Sequence, residues 1–263
     1  MMRLLFKPLP ILLSVFVFSS CNKMNDFLPN GKDKANKLKT YRSTPVSLWE
    51  GKATAWISVN RVGVPVELGL EIAPKALDGL PETNFSVAKV PLPAIAKELT
   101  PFDHIQIDWA SQGHGMPGPT GPAFMGPHYD IRFFMTTLEE RMQIPAPTDP
   151  TAKFNILPPA GYMPANYFAG RSALPGIGLH WTDGQGFNGM TRAMVLGTYN
   201  GEFTFVSPIV TAEELLSGNA SSTPFGQPQY FQESNTYYPT TYNIYQDKEG
   251  KKHQVTLSGF VLR

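Results

Sequence analysis

Three of the five histidines stand where their side chains could reach a shared ligand. His114 lies in Gln112-Gly113-His114-Gly115, His180 follows Gly176-Ile177-Gly178-Leu179, and His128 opens a run of alternating residues. That run, PHYDIRFF over residues 127–134, puts His128, Asp130 and Arg132 on one face of a strand. Imidazoles joined by a carboxylate can hold Zn²⁺ or a similar divalent ion. His114, His128 and His180 with Asp130 are therefore the candidate metal set, although no short ligand spacing such as HExxH accompanies them. The competing reading holds each histidine by backbone hydrogen bonds at a loop–strand junction. Arg132 weighs against a metal, because a permanently charged guanidinium repels a cation on its own face. It would instead pair with Asp130, or recognise a carboxylate or phosphate. The candidate site is thus His114, His128, Asp130, Arg132 and His180, with a divalent metal as the candidate cofactor and its cofactor otherwise unknown.

Other templates are missing. There is no GxSxG elbow, no P-loop and no GxGxxG after a strand, so the usual nucleophile and nucleotide signatures fail. Asp103, Asp108, Asp183, Glu202 and Glu233 could supply a carboxylate pair, but nothing in the sequence fixes their separation. Tyr237, Tyr238, Tyr242 and Tyr245 make an aromatic group near the end of the chain, suited to stacking a sugar or to packing between strands.

These residues need a scaffold, and composition limits its kind. The chain has 263 residues, 23 of them Gly and 25 Pro, which leaves little room for long helices. Charged residues make up 16%, against roughly 25% in an ordinary soluble domain. A formal net charge of +1 argues against nucleic acid as a partner, because binding phosphates needs a clustered cationic surface. No run of apolar residues is long enough for a membrane-spanning helix.

The first residues read as targeting rather than structure. Arg3 and Lys7 precede the short apolar stretch LPILLSVFVF at 9–18, then Ser19, Ser20 and Cys21, the lone cysteine. Phe18-Ser19-Ser20-Cys21 resembles a bacterial lipobox, with Phe where Leu is usual. Residues 1–20 are expected to be a lipoprotein signal peptide, Cys21 the lipidated residue, and 21–46 a flexible tether rich in Asn and Lys. The protein would then sit in the bacterial envelope, anchored by lipid to a membrane outside the cytoplasm. With no second cysteine, no intramolecular disulfide can form, so packing must supply the stability.

Residues 47–263 read as one mainly β domain, a sandwich or barrel with one or two short helices and long Pro/Gly-rich loops. Strands are expected at 52–59 and 66–72, with a helical turn at 74–80. In residues 102–109 the Ile105, Ile107 and Trp109 side should be buried, opposite His104, Gln106 and Asp108. Asn200-Gly201 between two apolar runs predicts a type I′ hairpin. Thr211 with Glu214 three residues on predicts a capped helix. Residues 113–127 and 143–175 should be loop.

Six segments resemble a family of exported bacterial proteins of unknown function, typified by a Thermus protein under sigma-E and anti-sigma-E control. They are GLEIAPKALDGLP (69–81), FDHIQIDWASQGH (102–114), PHYDIRFFM (127–135), GIGLHWTD (176–183), LGTYNGEFTFVSP (196–208) and YPTTY (238–242). The resemblance runs over about residues 51–263. Members usually show HxDxH where this chain has His128, Asp130 and Arg132, and Glu where it has Ser207. The resemblance implies a β-rich domain and a symmetric homo-oligomer, and no established activity. Two functions therefore stand as expectations. One is a non-catalytic, lipid-anchored envelope protein whose β domain binds a partner or small ligand. The alternative is a metal-dependent hydrolase using His114, His128, His180 and Asp130.

Overall fold

Alternating apolar residues give the chain two antiparallel sheets, and their apolar faces meet. A computed structural model describes residues 38–83, 86–113, 126–183, 190–249 and 251–263. The first sheet holds β1 (Lys39–Arg42), β2 (Val46–Leu48), β3 (Gly51–Val59) and β4 (Pro65–Ile72). It is completed by β12 (Ser221–Pro224), β14 (Thr241–Gln246) and β15 (His253–Ser258), in the order β1-β3-β4-β15-β14-β12 with β2 also on β3. The second contains β5 (Ser86–Pro91), β6 (His104–Ala110), β7 (His128–Phe134), β8 (Tyr167–Leu174), β9 (Gly178–Asp183), β10 (Arg192–Tyr199) and β11 (Glu202–Thr211). Its order is β5-β6-β7-β11-β10-β9-β8. A two-stranded ribbon pairs β13 (Tyr237–Tyr238) with β16 (Val261–Leu262). Neither large sheet closes on itself, so of the two expected architectures this is the sandwich.

Ile57, Leu68, Leu70 and Val255 from the first sheet pack with Ile105, Ile107, Ile131 and Phe133 from the second, all fully buried. Each such side chain contributes about 1.5–3 kcal/mol through removal from water. The predicted hairpin forms: Asn200 and Gly201 both have positive φ, 53° and 82°, between β10 and β11. The predicted cap forms as well, with the Thr211 hydroxyl accepting from the Glu214 amide at the start of α3 (Ala212–Ser217). The expected helical turn is a 3₁₀ turn at Pro74–Leu77.

Several expectations change. Within the segment read as tether, β1 pairs with β3, and Thr40 bonds Ser58 at 2.7 Å. Lys39 and Arg42 suit an exposed edge, where charge discourages further pairing. The Pro-rich stretch expected to be loop contains β8, paired to β9 across an irregularity between Ala169 and Ala173. Two helices went unread: α1 (Ala94–Leu99), and α2 (Leu138–Met142), whose start is a capping box of Thr137 and Glu140. Residues 102–109 bury both faces, because His104, Gln106 and Asp108 are as enclosed as the isoleucines. The tyrosines do not form one group: Tyr242 is in the core, Tyr245 touches Glu67 on the outer face of the first sheet, and Tyr238 lines a cleft near β13.

The outer face of the second sheet has its own small apolar cluster, Phe134, Ala193, Val195, Phe205 and Ile209. The Phe205 ring lies across Gly197, where an added Cβ would come 2.0 Å from the ring. Gly197→Ala is therefore expected to destabilise the protein by about 1–3 kcal/mol, the usual range for overpacking. Urea unfolding with an unchanged m-value would check it.

Candidate functional site

Strand register shows where the expected site residues go. Directly opposed residues share a face, so His104, Phe134, Phe205, Gly197 and His180 form one row across the outer face of the second sheet. Asp108, Asp130 and Ile209 form another, and Ala110, His128 and Thr211 a third. His128 and His180 are thus three strand spacings apart across the sheet and six residues apart along it. At roughly 4.8 Å per strand and 3.3 Å per residue, about 14 Å and about 20 Å separate them. One ion cannot bind both. Each ring instead donates through Nδ1 to a backbone carbonyl: His128 to Gly126 at 2.8 Å, His180 to Ser172 at 3.1 Å. His114 lies outside the described residues. Among the described residues no three His, Cys, Asp or Glu side chains gather as metal ligands.

Arg132 occupies the centre of this face. Its Nη2 donates to Asp130 Oδ2 at 2.8 Å and its Nη1 to Asp108 Oδ2, with all three side chains buried. The expected Asp130–Arg132 pair is present, and Asp108 is the partner that sequence reasoning missed. Asp108 lies opposite Asp130 in the β6–β7 register, an adjacency that no local spacing reveals. Burial pushes the Arg132 guanidinium down to about 9, with Arg141 adding like-charge repulsion, and it stays cationic at neutral pH. The guanidinium also lies 5.5 Å from the Phe205 ring centre. Beside Arg132 in the strand order is Ser207, whose buried hydroxyl has no hydrogen-bond partner among the described residues.

The polar chain continues along β6. Gln106 donates to both Asp108 oxygens at 2.9 and 3.0 Å and accepts from Arg141 Nη2 at 2.7 Å. Arg141 meets His104 at 2.8 Å, His104 meets Asp103 at 2.9 Å, and Asp103 accepts from Lys97 at 2.6 Å. Charges therefore alternate from α1 to the middle of the sheet, with neutral groups between them.

A second polar cluster escaped sequence reasoning. Glu67 and Glu71 share the outer face of β4 with Trp56 and Gln254 of neighbouring strands. Burial raises the Glu67 pKa, with hydrogen bonds from Thr256 and Tyr245 only partly offsetting it. Burial also acts on Glu71, but Lys252, Arg42 and Gln254 outweigh it and hold that carboxyl below its ordinary value. Trp56 donates to Gln254 at 2.9 Å and is buried, as are Gln254 and Thr256.

A cavity lies elsewhere. A partly open cleft is bounded by Leu196, Phe203, Val206, Phe225, Phe231 and Tyr238. None of its lining side chains is charged, and Gln227 and Gln232 supply amides. Its outer wall is the segment 225–239. That wall is tied by the Gln229 and Tyr230 amides to the Gly161 carbonyl, and by the Phe203 amide to Gln232 Oε1. The β13–β16 ribbon and the Arg263 guanidinium, 4.6 Å from the Phe231 ring centre, secure it further. The aromatics Phe225, Tyr230 and Phe231 inside a Pro/Gln loop were the available sequence signal.

Fold and site together define an antiparallel β-sandwich with a buried ionic network on the outer face of its second sheet and a separate apolar cleft. Over residues 60–109, from the turn before β4 into β6, the chain is similar to the TTHB210-like family, described by the hypothetical protein TTHB210. That similarity supports, over those residues, the resemblance to uncharacterised Thermus-type proteins. No curated protein and no solved structure matches the chain.

Removing one member of the ionic trio strands the others in a dry setting. Arg132→Met should cost about 3–5 kcal/mol by leaving two buried carboxylates uncompensated. Replacing all three, with Asp108→Leu and Asp130→Leu added, should recover most of that loss. Chemical denaturation of the single and triple variants measures both.

Proposed function

We propose that this is a lipid-anchored protein of the bacterial envelope, exported and held by lipid on Cys21, whose sandwich is a non-catalytic module binding a small, uncharged, apolar molecule. The uncharged aromatic cleft carries this reading. Ligand pockets are commonly concave and mainly apolar, with a few polar groups to orient the guest, and this cleft has that lining. The lipobox-like Phe18-Ser19-Ser20-Cys21 supports the anchor. The hydrolase alternative draws less support, since Arg132 fills the space between Asp108 and Asp130 and His128 lies far from His180.

Titration with phenylnaphthylamine, an uncharged apolar fluorophore, should give saturable enhancement with one site per chain. Phe203→Glu places a charge in the lining and should weaken binding by about tenfold or more, equivalent to about 1.4 kcal/mol. Absence of saturation, or equal affinity in a folded Phe203→Glu variant, contradicts the cleft assignment. The anchor is tested separately. Cys21→Ser should abolish incorporation of labelled fatty acid and shift the protein from the membrane to the soluble fraction, and membrane retention without label contradicts it.

A further inference from the structure

Arg141 is a buried cation whose direct partners are all neutral. Its Nε donates to the Gly176 carbonyl at 2.7 Å, its Nη2 to the Gln106 amide oxygen and its Nη1 to the His104 ring, while its guanidinium lies 3.6 Å from the Phe134 ring centre. A guanidinium has donors only. His104 Nε2, 2.8 Å away, must therefore accept with its lone pair, which leaves the ring proton on Nδ1. That proton points at Asp103 Oδ2, 2.9 Å away. The imidazole is also stacked on Phe134, at 5.0 Å between centres and 7° between planes. Arg141 can be held this way only while His104 is neutral.

We propose that His104 and Arg141 form an acid-released latch: a proton on His104 Nε2 detaches Arg141, and with it α2 and the turn at 174–177, from the outer face of the second sheet. The same arginine ties both parts. It is the buried residue of α2, and its Nε bonds Gly176, whose amide bonds the Ile144 carbonyl. Once His104 carries a proton, two N–H groups and two positive charges face each other across a distance fit for one hydrogen bond. The neighbouring Ile177, packed on the Phe134 and Phe205 cluster, would move with the turn.

Every element around His104 contributes charge. Asp103, preceding it in the chain, favours the imidazolium; Arg141 of α2 and Lys97 of α1 oppose it. Asp108 and Arg132 lie beyond Gln106 and largely neutralise each other, and His180 is in the same row beyond Phe205. Burial adds the largest opposition, so the His104 pKa lies below its ordinary value of 6.5. The sign follows. Below about pH 6.5 the released state binds more protons than the latched one, so the latch is complete above that pH and weakens as pH falls through the window beneath it.

Amide hydrogen exchange of the full chain, read by mass spectrometry and corrected for intrinsic rates, tests this at about pH 7.5 and about pH 5. Protection of residues 138–144 and 174–177 should drop about tenfold or more relative to the β10–β11 hairpin at the lower pH, and return on neutralisation. His104→Gln keeps an accepting oxygen for Arg141 and cannot titrate, so its protection should not change between the two conditions. Equal wild-type protection at both pH values, or a His104→Gln variant that loosens as the wild type does, overturns the proposal. Should that variant fail to fold, nitrogen NMR of the wild-type His104 ring decides. Nε2 should be unprotonated at the higher pH and gain its proton in step with the loosening, and a ring already charged there overturns the latch.

Discussion

Strands β6 and β7 of the second sheet are buried on both faces, and this constraint governs the molecule. A strand pair with one wet face can leave its charges to water, whereas β6 and β7 cannot. Every ionisable group on their outer face must find a partner within the protein. Arg132 meets that requirement by serving Asp108 and Asp130 together, and Gln106 extends the arrangement to Arg141. Asp130 and Arg132, two residues of the candidate site, are in this way paired with each other and with Asp108.

The two sheets handle polarity differently. On the outer face of the first, Glu71 collects Lys252 and Arg42 near the surface, where exchange with water is cheap. On the outer face of the second, polar groups alternate with Phe134, Phe205, Val195 and Ile209, so hydrogen bonds and apolar contacts share one layer. With a single cysteine in the chain, no disulfide reinforces this layer, and side-chain fit carries the load.

What was legible in the sequence was local. The Asn200-Gly201 turn, the Thr211–Glu214 cap and the mainly β character depend on residues a few positions apart. The Asp130–Arg132 pair is equally local, two residues on one strand. Asp108 is 24 residues from Arg132, and their contact exists only through the β6–β7 register. The same applies to Arg141, which reaches β6 from 35 and 37 residues away. β8 was hidden because Pro and Gly around it mimic loop, while the pairing that stabilises it comes from β9. The burial of His104, Gln106 and Asp108 could not be read because their alternation with isoleucine imitates an ordinary half-exposed strand.

The shared guanidinium has a consequence for how this sequence can drift among descendants. Positions 108, 130 and 132 belong to one charge count, spread over two strands and joined by a register that a point change does not alter. A lineage that exchanges the arginine for a neutral residue inherits surplus negative charge and must shed it at a carboxylate or recruit another cation. Tolerated histories therefore pass through concerted replacements, and the three positions should vary as a group among related chains.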